Sequence, residues 1–116
     1  MGRAQRKESM NNVYYDPEKF GLTPVDEIDL SSGSYEYDKI VVWKNADGKH
    51  FWARDAGCSC PIPFESYGID TITPLANEHD FDSLRADLDE PSYREYVSVE
   101  EKANFLNTVR QSMGAV

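Results

Sequence analysis

The chain has 116 residues, 21 acidic against 12 basic for a net charge of −9, with 40% hydrophobic and 12% aromatic residues. A chain of that length holds one hydrophobic core by default, and its acidity works against phosphate backbones and anionic lipid surfaces, so neither direct nucleic-acid binding nor membrane docking is expected. No apolar run approaches the roughly 20 residues that span a bilayer, and no apolar stretch follows the basic head as in a secretory signal, which predicts a cytoplasmic protein.

Residues 1–12 are polar, basic at the head and without periodicity, and are expected to form a flexible tail ahead of a single α+β domain over 13–116. Asp16, Pro17 and Gly21 suit the N-cap, first position and closing residue of a short helical turn. Val25 to Leu30 does not alternate cleanly, yet Ile28 and Leu30 share a face at strand spacing, so it reads as a short edge strand. Ser34 to Lys44 is rich in β-branched and aromatic residues, and Lys49 to Asp55 is its return strand. Between them, Asn45-Ala-Asp-Gly is a hairpin turn in which Asp47-Gly48 supplies positive φ. Tyr35, Tyr37, Ile40, Val42, Phe51 and Ala53 are candidate inner-face residues, the buried face depending on register.

Residues 56–74 read as a glycine- and proline-rich loop crossing the sheet, with a short strand at Gly68 to Ile72. Asp80 or Asp82 then caps a helix through Leu88, with Phe81, Leu84 and Leu88 on one face and Pro91 ending it. Ser98-Val-Glu-Glu is a capping box, and Val99, Ala103, Leu106, Val109 and Met113 follow at helical spacing. The predicted fold is α+β, a small antiparallel sheet of about three to four strands packed against two C-terminal helices.

The stretch from Trp52 to Glu65 gathers both cysteines, and its candidate functional residues are Trp52, Arg54, Asp55, Cys58, Cys60, Phe64 and Glu65. As zinc ligands, Cys58 and Cys60 supply half a tetrahedral site, leaving His50 and His79, the two histidines in the chain, to complete it. A Cys-x-Cys disulfide closes a small strained ring of the reducible kind. A nucleophilic reading pairs either cysteine with His50 as base and Asp55 as orienter, with Arg54 lowering the thiol pKa. The structural alternative is a buried prolyl loop in which Arg54 pairs with Asp55 or Glu65 and Phe64 plugs the core; it needs nothing unusual and is preferred, so no cofactor is expected. Tyr14, Tyr15, Tyr35, Tyr37, Tyr67, Trp43 and Trp52 exceed what one face of a three-stranded sheet covers. Tyr35, Tyr37 and Trp43 are therefore candidates for a partner surface, with core packing as the alternative. The acidic run from Asn77 to Glu90 lacks the glycine and twelfth-position glutamate of an EF-hand and reads as a solvated helix face.

Tyr15-Asp-Pro-Glu-Lys-Phe-Gly-Leu, Ser34-Tyr-Glu-Tyr-Asp, Val42-Trp and above all Gly57-Cys-Ser-Cys-Pro-Ile-Pro-Phe-Glu resemble small proteins of bacteriophages that infect actinobacteria, an uncharacterised domain family. The resemblance covers about residues 13 to 67 and brings no reaction, cofactor or catalytic residue. It implies a phage accessory protein in the host bacterial cytoplasm, binding a host or phage protein to redirect host machinery or counter a defence. The alternatives are a small zinc- or thiol-dependent module centred on Cys58-Ser59-Cys60 and a minor virion or assembly component.

Overall fold

The β-branched and aromatic run ahead of Asn45 pairs with the run behind Gly48 to give the central hairpin, β2 (Glu36–Asn45) and β3 (His50–Cys58). Its turn is closed by Gly48 N–H donating to the Asn45 carbonyl at 3.0 Å, while the Asn45 side chain accepts from the Asp47 and Lys49 amides at 2.9 Å each. Gly48 alone takes the left-handed conformation, at φ 83°, so this is a three-residue loop with a glycine bulge in which Asp47 keeps negative φ. The computed structural model describes residues 12–31, 36–58, 64, 67–89 and 97–114, with the side chains of Glu36 and Cys58 outside that description.

Around the hairpin, β1 (Leu22–Asp29) pairs with β2 and β4 (Thr73–Leu75) with β3, giving a four-stranded antiparallel sheet in chain order. Helices α1 (Glu78–Asp89) and α2 (Val99–Ser112) follow. The expected α+β class and hairpin are therefore present. The strand expected at Gly68–Ile72 falls slightly later, because Gly68 to Thr71 closes a turn through the Thr71 amide and hydroxyl.

Uneven alternation in the first strand has a physical cause. Register passes from Pro24 opposite Trp43 to Asp26 opposite Val42, leaving Val25 as an extra residue. A bulge of one residue moves every later side chain to the other face. Leu22 thus joins one core while Val25, Ile28 and Leu30 join the other.

Both faces of the sheet are covered. On the helix face, Ile40 and Val42 pack with Leu30, Leu75, Phe81, Leu84, Leu88, Phe105 and Val109. On the opposite face, Val41, Trp43 and Ala53 pack with Val13, Leu22, Phe64 and Ile72, bordered by Tyr14, Phe20, Phe51 and Tyr67. The single inner face expected for Ile40, Val42, Phe51 and Ala53 is corrected by the register: Val41 pairs Ala53 and Trp43 pairs Phe51, so Ala53 and Phe51 share the odd-numbered face.

Several local expectations shift by a turn. Asn77, not Asp80 or Asp82, caps α1, its Oδ1 accepting from the Asp80 amide at 2.9 Å. Ser98 and Glu101 form the expected capping box of α2. Its buried stripe centres on Phe105 and Val109, whereas Val99 is 84% exposed and Ala103 is exposed. Pro17–Phe20 forms a short 3-10 helix closed by Gly21 at φ 72°, but Asp16 makes no capping hydrogen bond. Asn12 instead organises the entry, its Oδ1 accepting from the Tyr14 and Tyr15 amides at 2.9 and 2.8 Å, and so belongs to the fold rather than to a tail.

Candidate functional site

Strand β3 carries the residues of interest, and its register decides what each can do. Asn45 N–H bonds the Lys49 carbonyl across the turn. With Cα pairing advancing one for one, residues 51, 53, 55 and 57 turn their backbone groups toward β2, and 50, 52, 54 and 56 turn theirs outward. Strand β4 takes up His50 and Trp52, opposite Leu75 and Thr73, and then ends. Beyond it, among the described residues, the Tyr67 hydroxyl donates to the Arg54 carbonyl at 3.0 Å, and the outward backbone of Ala56 faces no strand. A groove of about 420 Å³ runs along this open edge, lined by Trp52, Arg54, Ala56, Tyr67, Thr73 and Asp87 among others.

On the helix face of this edge, Arg54 is held on two sides. Its Nε and Nη2 donate to the two carboxylate oxygens of Asp38 at 2.8 Å each, and Nη1 donates to the Asp87 carbonyl at 2.7 Å and to Asp87 Oδ2 at 3.0 Å. The Asp38 hydrogen bonds raise the guanidinium pKa most, against the cost of burial and with help from Asp87. Among the described residues this replaces the expected pairing with Asp55, while the alternative partner Glu65 lies outside them. A forked guanidinium between two carboxylates is neutralised locally and ties the last turn of α1 to the sheet. It is thereby removed as an activator of a neighbouring thiol.

On the opposite face Asp55 does different work. Its Oδ2 accepts from the Phe64 amide at 2.7 Å and the Tyr37 hydroxyl at 3.3 Å. Phe64 is fully buried and sits at φ 61°, a left-handed conformation unusual for an aromatic residue. The Asp55 bond and a ring cluster with Trp43, Tyr14 and Tyr67, at centroid distances of 6.0, 5.2 and 5.0 Å, hold it there. Burial and then the Asp55 charge raise the Tyr67 phenol above its ordinary value. Gly57, across from Tyr37, leaves room for that ring: a Cβ there would lie 3.1 Å from the Tyr37 hydroxyl.

The structure thus brings Trp52, Arg54, Asp55 and Phe64 together around one strand end. Phe64 plugs a core as expected. Cys60, Glu65 and Tyr35 lie outside the described residues, and Cys58 is described only as the backbone end of β3. Trp52 borders the helix-face core with its indole N–H buried and unpaired among the described residues. Tyr37 and Trp43 are 9% and 1% exposed, so neither offers a partner surface; both were absorbed because the sheet has two covered faces.

His50 begins β3 and Cys58 ends it. Eight steps of extended strand separate them, roughly 26 Å, beyond the span of a shared metal ion or a proton transfer. His79 is exposed on the first turn of α1, and among the described residues no three histidine, cysteine or carboxylate side chains assemble as a ligand set. Instead the His50 Nε2 lies 2.8 Å from Ser112 Oγ. Burial pushes the imidazole below its usual value, opposed by a hydrogen bond to the Gly48 backbone and reinforced by the Lys44 charge. Ser112 ends α2, where helix carbonyls disfavour a developing alkoxide, so this pair fastens helix to sheet. Asp38, Asp87 and Ser112 were not singled out from the sequence, and Tyr67 was noted only among the surplus aromatic residues. Strand parity puts Asp38 and Arg54 on one face, a signal legible once the register is known.

The described residues contain no helix long and apolar enough to cross a membrane. A family model described as a domain of unknown function, DUF7574, matches residues 11–115. The chain belongs to this family. The DUF7574 match begins one residue before Asn12, the first residue of the described fold, and runs through α2, so it takes in both cores and the groove. No curated protein and no solved structure matches the chain.

Proposed function

We propose that this DUF7574 protein is a non-enzymatic bacteriophage accessory protein that binds another protein by adding one of its strands to the open edge of β3. The observation that carries the reading is the early end of β4, which leaves the outward backbone of Ala56 facing no strand of the described sheet. An extended segment laid there gains main-chain hydrogen bonds, the mode used by proteins that recognise peptides through a sheet edge. The other sheet edge is guarded. Strand β1 carries Pro24, the Val25 bulge, Asp26 and Glu27, devices that discourage strand addition. Asp38, Asp55 and Asp87 outnumber Arg54 around the β3 edge, which favours a basic partner segment.

Phage origin, a place in the host cytoplasm and a role in redirecting the host or countering its defences rest on the resemblance of the Gly57-to-Glu65 run and the three segments before it. The test is affinity capture from host lysate with the wild-type chain and an Ala56→Pro variant. Proline removes an outward N–H and leaves the β2–β3 ladder untouched. The wild type should retain a partner that the variant, folded by circular dichroism, loses. Equal capture by both would defeat the edge reading, and no capture at any salt concentration would defeat the binding role.

A further inference from the structure

At the opposite end of β3 the hairpin turn, β4 and the end of α2 enclose a second cleft, of about 480 Å³. That volume lies within the range of small-molecule sites. Phe51, Pro74, Leu75, Ala76 and Met113 give it apolar walls, and the buried His50 lines it with its Nε2 engaged by Ser112. The lip is cationic. Lys49 lines the mouth, its backbone fixed by Asn45 Oδ1, and Lys44 stands opposite His50 in the register. Both lysines are exposed, and neither ammonium has an ion-pair partner among the described residues. Among the described residues no aspartate or glutamate lines the cleft; Asp47 precedes Gly48 in the turn, and Asp80 is engaged at Oδ2 by the Ala76 amide at 2.8 Å. In a chain of net charge −9, the charged side chain lining this apolar cleft is a lysine.

We infer that this cleft binds a small amphiphilic carboxylate, an unbranched or aromatic monocarboxylic acid whose apolar part lies against Phe51, Leu75 and Met113 and whose carboxylate meets Lys49. The site is independent of the β3 edge, since its walls share no residue with Arg54, Ala56 or Asp87.

The test follows the Met113 methyl signal by NMR in the full chain, assigned with Met113→Leu, during titration with octanoate, 1-octanol and octylammonium. Octanoate should shift Met113 saturably, and octanol should bind about two- to fivefold more weakly, the worth of one exposed charge pair. Octylammonium should be weakest, and Lys49→Gln should bring octanoate down to the affinity of octanol. Ala76→Trp, at an exposed lip position, should block all three. Absence of a saturable octanoate shift overturns the proposal. So does octanol or octylammonium binding as tightly as octanoate, or an octanoate affinity unchanged by Lys49→Gln.

Discussion

On one face of the sheet, Ile40 and Val42 meet two helices whose own apolar stripes are built from Leu84, Leu88, Phe105 and Val109. On the other, Val41 and Trp43 meet no long element among the described residues: Val13, Phe64 and Ile72 come from turns and connecting segments. The buried cluster of the helix face is mainly aliphatic, with Phe81 and Phe105 among its members, and such packing tolerates variation in side-chain shape. The loop face is aromatic and hydrogen-bonded, because irregular backbone over a core must have its polar groups individually satisfied. Asp55 performs that task for Phe64, and Asn12 for Tyr14 and Tyr15. A helix supplies its own hydrogen bonds; a loop borrows them.

The sharpest way to break this comparison is to empty each core in turn. Trp43→Ala on the loop face should cost about 3–5 kcal/mol, and Leu84→Ala on the helix face about 2–5 kcal/mol. In urea both should give one transition, coincident by near-UV and far-UV circular dichroism, because one sheet couples the cores. Separated transitions would mean that the faces unfold independently.

Arg54→Met comes next. It leaves Asp38 and Asp87 facing each other without their shared cation. The expected loss is about 2 kcal/mol, below that of a fully buried pair because the group keeps some contact with water. Loss of less than half that, measured by the denaturation midpoint, would show that the clamp does not fasten α1. Asp55→Asn keeps the shape but weakens the bond to Phe64, at about 1 kcal/mol. Its specific signature is a perturbed Phe64 amide resonance, with signals from α1 and α2 unchanged; an unmoved Phe64 amide would remove Asp55 from its assigned role.

The smallest effect concerns the helix tether. The imidazole of His50 is held below its ordinary value, while in the unfolded chain it titrates near 6.5. In the window between the two, the unfolded state binds more protons, so stability from this group is complete above about pH 6.5 and is lost as pH falls through the folded value. Thermal melts from pH 7.5 to 5.5 should fall more steeply for the wild type than for His50→Gln. Parallel slopes would exclude His50 as the source.

What the sequence disclosed follows the same division. The hairpin, the Ser98 capping box and the Phe81, Leu84, Leu88 stripe were legible because each is a local pattern with one geometric solution. The Val25 bulge was visible only as imperfect alternation, since one inserted residue cancels the period on which strand reading depends. Phe105 was passed over in favour of a more regular stripe through Val99 and Ala103, and packing against β1 and β2 settled the rotation. The site was less legible still. Arg54 was recognised, but its partners Asp38 and Asp87 lie 16 and 33 residues away in sequence. The tyrosines and Trp43 suggested a surface because one face was expected to be open; cover from Val13 and Phe64 carries no periodic signal.

The order of the chain has a consequence for how the molecule is made. The last helix packs against the first strand, and from Asp29 to Val99 is a span of 70 residues. At about 5–20 residues per second of synthesis, that interval is roughly 4–14 s. The loop face, whose cover is complete by Ile72, can close well before then. The helix face waits for α2, and during those seconds Ile28, Ile40 and Val42 form a strip to which a nascent-chain chaperone or a neighbouring copy has access.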